Sequence, residues 1–189
     1  YLPTRRACRH LRTAFLRVTE AKATLLPRIL PLGDVDEAEL DFSALGMFDD
    51  LPPPIEPLRR QMLLIKCIHQ KEPDLPFEQA ASLASSLASL LDQAQTEGRD
   101  LDDLKTLVPD DYAKHWQETL RFLEILLELW PEILEEEGCM DPALRRRLVL
   151  ERQAELWQEK PSEQPVIAAG STGSHPAVGK LMAAVARMN

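Results

Sequence analysis

Apolar residues recur at helical spacing along most of this chain, and only three short stretches break the rhythm. After Thr4, a good N-cap, Ala7, Leu11, Ala14, Phe15 and Val18 mark one face of a helix whose other positions carry Arg5, Arg6, Arg9, Arg12 and Arg17. A helix is expected from about Pro57, with Leu58, Met62, Ile65 and His69 on one face, and another from about Pro76, with Leu83, Leu87, Leu90 and Leu91. Ala and Ser between those leucines permit close helix packing. The strongest periodicity spans Asp110 to Glu137, where Trp116, Leu120, Leu123, Leu127, Trp130 and Leu134 alternate steps of four and three, beside a second face of Phe122, Leu126, Leu129 and Ile133. A helix greasy on two sides belongs in the middle of a bundle. Pro131 should kink it, Gly138 ends it, and Asp141-Pro142 opens a last amphipathic helix through Leu144, Leu148, Leu150 and Trp157.

The three exceptions read as short strands. Leu2-Pro3 at the start and Val166 to Gly170 near the end each run into a loop and then a helix, and the proline-punctuated run Ala23 to Gly33 suits a buried or edge strand. Functional residues gather at the carboxyl edge of a sheet built this way. The fold class expected is α/β and helix-rich, with a partial parallel sheet interrupted by a large all-helical lobe. Its domains are a partial α/β domain from residues 1–33 and 161–189 and an inserted helical lobe from 34–160, entered through an acidic linker that closes on Pro52-Pro53-Pro54.

A chain of 189 residues with 44% hydrophobic content can bury a core, whereas its net charge of -9 opposes general attraction to a phosphate backbone or an anionic membrane. Any nucleic-acid contact must come from a local patch. Cys8, Cys67 and Cys139 form no CxxC pair and suit a reduced, cytoplasmic setting, and no apolar stretch is long enough for a membrane span. The start at Tyr1 reads as an excerpt from a longer polypeptide.

The chemistry search finds one near miss. Gly170-Ser171-Thr172-Gly173-Ser174 follows an extended run and Gly179-Lys180 comes soon after, but a Walker A loop needs four residues before its Gly-Lys pair and then a hydroxyl. Here there is one residue too many, Leu181 stands in place of the hydroxyl, and Pro176 interrupts; the alternative is a tight turn at Gly170 and Gly173. Ala168 and Ala169 end a strand of Walker B shape without the carboxylate that would hold magnesium. His10, His69, His115 and His175 lack catalytic or metal-ligand spacing, Glu135-Glu136-Glu137 is a solvated run, and no metal site or cofactor is expected. Arg145-Arg146-Arg147 has acidic neighbours. Thr4-Arg5-Arg6 is the better patch, because a hydroxyl, the free amides of a helix N-terminus and two guanidiniums together can grip a phosphate; simple capping with solvated arginines is the alternative.

The strings LPTRRACRHLRTAFLR, ATLLPRILPLGDVDE, IEPLRRQMLLIKCI, LVPDDYAKHWQETLRFLEI and PVIAAGSTGSHPAVGKLMAAVAR resemble the N-terminal part of the AddB subunits of alphaproteobacterial AddAB helicase-nucleases, in the family's order. The resemblance implies a P-loop, superfamily 1 helicase-like fold without working ATP hydrolysis, a role in double-strand DNA break repair and recombination, and an AddA-type partner that supplies the motor. It implies single-strand or broken-end DNA as ligand, with Thr4, Arg5 and Arg6 on the DNA backbone and Ala168, Ala169, Gly170, Ser171, Thr172 and Gly173 in the place of a degenerate Walker B strand and loop. The nuclease domain and any Walker A loop would lie outside this stretch, which holds no catalytic residue of its own. A helical protein-interaction module without DNA contact is the other reading, and an active nucleotide hydrolase is disfavoured by the defects at Ala169 and Gly173.

Overall fold

Thr4 opens α1 (Arg5–Val18) as expected: its hydroxyl accepts the Ala7 amide at 3.1 Å, one of the donors that a helix start leaves without a partner. A Thr4→Ala variant is expected to lose about 1 kcal/mol of stability, read as a fall in the urea midpoint. The computed structural model describes residues 1–20, 23–32, 48, 50–99 and 122–188. It divides into a split unit, Tyr1–Asp49 with Leu148–Asn189, and a continuous unit, Asp50–Arg147. Trp116, Leu120, His115 and most of the acidic linker lie outside the described residues.

In the continuous unit, α2 (Pro57–Lys71) and α3 (Phe77–Glu97) pack on a helical stretch that begins by Phe122 and runs through α4 (Trp130–Glu137). Ala80 and Ala84 of α3 are fully buried with Leu87 and Leu91, so small side chains let α2 come close. The buried face of α2 is only in part the one the periodicity picked out: Ile65 belongs to both. Leu64, Ile65, Cys67 and Ile68 are inside, while Leu58 and Met62 are 69% and 50% exposed. His69 sits between two backbone carbonyls, Ile65 at 3.2 Å and Leu75 at 3.0 Å, and stacks on Phe77.

Pro131 leaves its mark as a π turn. Ile125–Leu129 is wound wider than an α-helix, and the Trp130 amide reaches back to the Ile125 carbonyl, five residues away. Proline supplies no amide and crowds the preceding turn, and one extra residue in the turn relieves both problems. Gly138 then ends α4 at φ +62°, a left-handed conformation that costs glycine little, and the Cys139 amide closes on the Leu134 carbonyl.

The helix α5 (Pro142–Glu159) starts behind Asp141 and serves the continuous unit with its first residues and the split unit from Leu148 onward. Asp141 is 1% exposed. Its Oδ2 accepts from Trp130 Nε1 at 3.0 Å and Gln95 Nε2 at 2.9 Å, and its Oδ1 stands 2.9 Å from the Arg60 guanidinium. That last pair is at ion-pair distance without the alignment of a hydrogen bond, so charge holds it. Arg60 also reaches Asp92 at 2.9 Å.

The core of the split unit is Leu150, Ala154 and Trp157 of α5 against Ala177, Val178, Leu181, Ala184 and Val185 of α6 (Pro176–Met188), with Leu32 joining them. The parallel sheet expected here is absent among the described residues. Leu2 makes a single parallel bridge to Pro31, through Leu2 N to Leu30 O at 2.9 Å and Leu32 N to Leu2 O at 2.7 Å. On the other side, the Tyr1 nitrogen donates to Ile167 O and the Ala169 amide to Tyr1 O. No ladder grows from these contacts, because Pro3 and the cap at Thr4 turn the chain into α1 at once. Pro27 and Pro31 remove donors from the neighbouring segment, and Gly170, at φ +72°, bends the third away. The fold is therefore helical with isolated bridges, and the helicase-like sheet is not seen.

Candidate nucleic-acid interface

The charge is unevenly divided. The continuous unit carries 11 basic against 20 acidic side chains and so holds the entire net charge of -9, while the split unit carries 11 of each. Within the split unit the bases concentrate in α1, whose sequence RRACRHLRTAFLRV has five arginines and no acid. The unfavourable field that the whole chain's charge implies is thus a property of the other unit.

Thr4, Arg5 and Arg6 are all exposed at the first turn of α1, where the helix dipole favours an anion. The loop after Ala169 comes to the same edge. A Cβ on Gly170 would stand 3.6 Å from Pro3 Cγ, ordinary contact, so the loop adjoins the residue before the cap. Ala169, Gly170 and Thr172 are exposed, and Ala168, Ser171 and Gly173 are half-buried.

The loop is not shaped as a phosphate cradle. Gly173, at φ +65°, turns its amide to Ser171 Oγ at 3.3 Å, and its carbonyl oxygen comes within 3.2 Å of where a Cβ on Gly179 would sit. A phosphate loop needs converging amides, whereas here a carbonyl faces the helix. Lys180 is engaged elsewhere, its Nζ 2.7 Å from Glu151 on α5. The edge can bind an anion by charge and hydrogen bonding.

The second basic cluster dissolves in three dimensions. Arg145 is buried and donates through Nε to the Pro52 carbonyl at 2.6 Å and through Nη2 to the Leu51 carbonyl at 3.4 Å, and its burial pushes its pKa below the usual range. Only Arg146 of the three is exposed. Glu137, at the end of the acidic run, takes two hydrogen bonds from Arg59, which hold its carboxyl below the ordinary range. Among the described residues, no three His, Cys, Asp or Glu side chains group as metal ligands, and no helix is long and apolar enough to cross a membrane.

The periodicity misplaced one face. Of the apolar positions of α1, only Cys8 is buried, while Leu11, Leu16 and Val18 are 37%, 52% and 83% exposed. Leu11 and Phe15 line a cavity of about 830 Å³ in the split unit, between α1, the Pro27–Leu30 segment, the end of α5 and Pro161–Ala169. The strongly amphipathic order of α1 was the signal for an interaction face; nothing in it says whether the face meets its own chain or another. Comparison of the chain with protein-family models, with curated proteins and with solved structures gives no match.

Proposed function

We propose that this protein is a DNA-contacting, non-hydrolysing part of an AddAB-type helicase-nuclease that processes double-strand DNA breaks in the cytoplasm. In this reading Thr4, Arg5 and Arg6 hold the phosphate backbone of a single strand or broken end, and the acidic continuous unit serves as scaffold beside an AddA-type subunit. One observation carries it: the exposed, Thr4-capped start of a helix with five arginines and no acid, set in the unit free of the net negative charge. The carbonyl-facing Gly173 loop and the engaged Lys180 support the absence of nucleotide hydrolysis.

The test is single-strand binding by the full chain across a range of salt concentrations. Loss of two phosphate contacts in an Arg5→Ala/Arg6→Ala variant is expected to weaken binding and to reduce the slope of log affinity against log salt by about 1.4. An unchanged slope would show the arginines to be a solvated helix face. The reading would then pass to a protein-interaction module, which the exposed apolar face of α1 also favours.

A further inference from the structure

We propose that the groove of the split unit docks an acidic amphipathic segment of a partner protein, a contact separate from the DNA-backbone contact of Arg5 and Arg6. The cavity is lined by Leu11 and Phe15 of α1, Ile29 and Leu30, Trp157 and Ile167. The elements that form it expose further apolar side chains, Leu16 and Val18 on α1 and Leu25 just before Pro27, and within the lining Ile167 is 71% exposed. A small ligand would fill the cavity and leave these residues in water, whereas a polypeptide segment covers both.

Charge selects among polypeptides. On α1, which carries no acid, Arg12 donates to the carbonyl of the groove residue Ile29 at 3.2 Å. Arg28 and Lys160 line the cavity, against the single carboxylate of Glu163. A segment with carboxylates beside its apolar side chains meets these cations favourably, and a lysine-rich one is repelled. A symmetric pairing with a second copy would bring Arg12, Arg28 and Lys160 of one copy toward the same groups of the other. Single-stranded nucleic acid suits the charge but matches the lining less well: aliphatic side chains outnumber the aromatic ones, Trp157 is only 4% exposed, and the half-buried Tyr1 ring is engaged edge-on with it, which leaves Phe15 as the ring a base could meet.

The experiment measures binding of a fluorescein-labelled amphipathic peptide of leucine and glutamate to the full chain by anisotropy. Its leucine–lysine and serine–glutamate counterparts and labelled oligothymidylate are measured beside it. The leucine–glutamate peptide is expected to bind at least about tenfold more tightly than either counterpart, and to lose about tenfold in Ile167→Asp and in Leu11→Asp. Both substituted positions are exposed, so circular dichroism is expected to show an unchanged fold. The Arg5→Ala/Arg6→Ala protein should keep its peptide affinity, so failure of the DNA reading leaves this one standing. Failure of the leucine–glutamate peptide to bind, equal binding of the lysine peptide, or wild-type affinity in both aspartate variants overturns the inference. Displacement of the peptide by oligothymidylate would assign the groove to nucleic acid, and a concentration-dependent dimer lost in Ile167→Asp would assign it to a second copy; either result also overturns it.

Discussion

Replacing Asp141 by alanine is expected to destabilise the continuous unit by about 3–5 kcal/mol, because the substitution strands the buried Arg60 guanidinium and orphans two further donors. Arg60 is 7% exposed and keeps only Asp92, which itself is partly in solvent. Trp130 Nε1 and Gln95 Nε2 lose the shared Oδ2 on which α3, α4 and the start of α5 converge. An Asp141→Asn variant keeps an acceptor but removes the charge, so its loss should fall between wild type and alanine. Hydrogen exchange is the decisive readout. Amides of Leu64–Ile68 and Ala84–Leu91 should lose protection, whereas those of Val178–Val185 in the split unit should change little. A uniform loss across both sets would mean that the two units unfold as one.

Trp157→Ala is expected to do the converse and cost the split unit about 3–5 kcal/mol, the range for truncating a buried aromatic. Trp157 is 4% exposed, packs with Leu150, Ala154 and Leu181, and meets the Tyr1 ring edge-on with centroids 5.8 Å apart. It also forms one wall of the groove. The variant should therefore lose exchange protection in α6 and weaken binding of the leucine–glutamate peptide, while the α2–α3 amides stay protected. Retention of α6 protection would show that α5 and α6 hold together without the indole.

Local features were the most legible in the residues. Thr4 as a cap, Gly138 as a stop, Pro142 as a first helical residue and the disturbance at Pro131 each follow from one residue's backbone chemistry, and each stands where the residues put it. The expected kink at Pro131 takes the form of a π turn because a widened turn relieves the same lost donor and the same crowding. The segments read as strands are not strands among the described residues. A sheet depends on partners far away in sequence, and the prolines around Leu2 and Leu30 leave the single bridge between Leu2 and Pro31.

Faces and charges were less legible, for a related reason. Leu58 and Met62 fit an apolar stripe as well as Leu64 and Ile68 do, yet only the latter pair is buried. Arg145, Arg146 and Arg147 look equivalent in the chain, but the carbonyls of Leu51 and Pro52 draw only the first inward. The local chemistry of caps, stops and helical periods was settled by the sequence alone, because each such signal acts within one or two turns of its own residue. Which apolar faces meet, whether extended runs become a sheet, and the exposure of α1's arginines beside an open groove were decided by the tertiary structure. Burial and pairing are properties of two surfaces, and the second surface lies elsewhere in the chain.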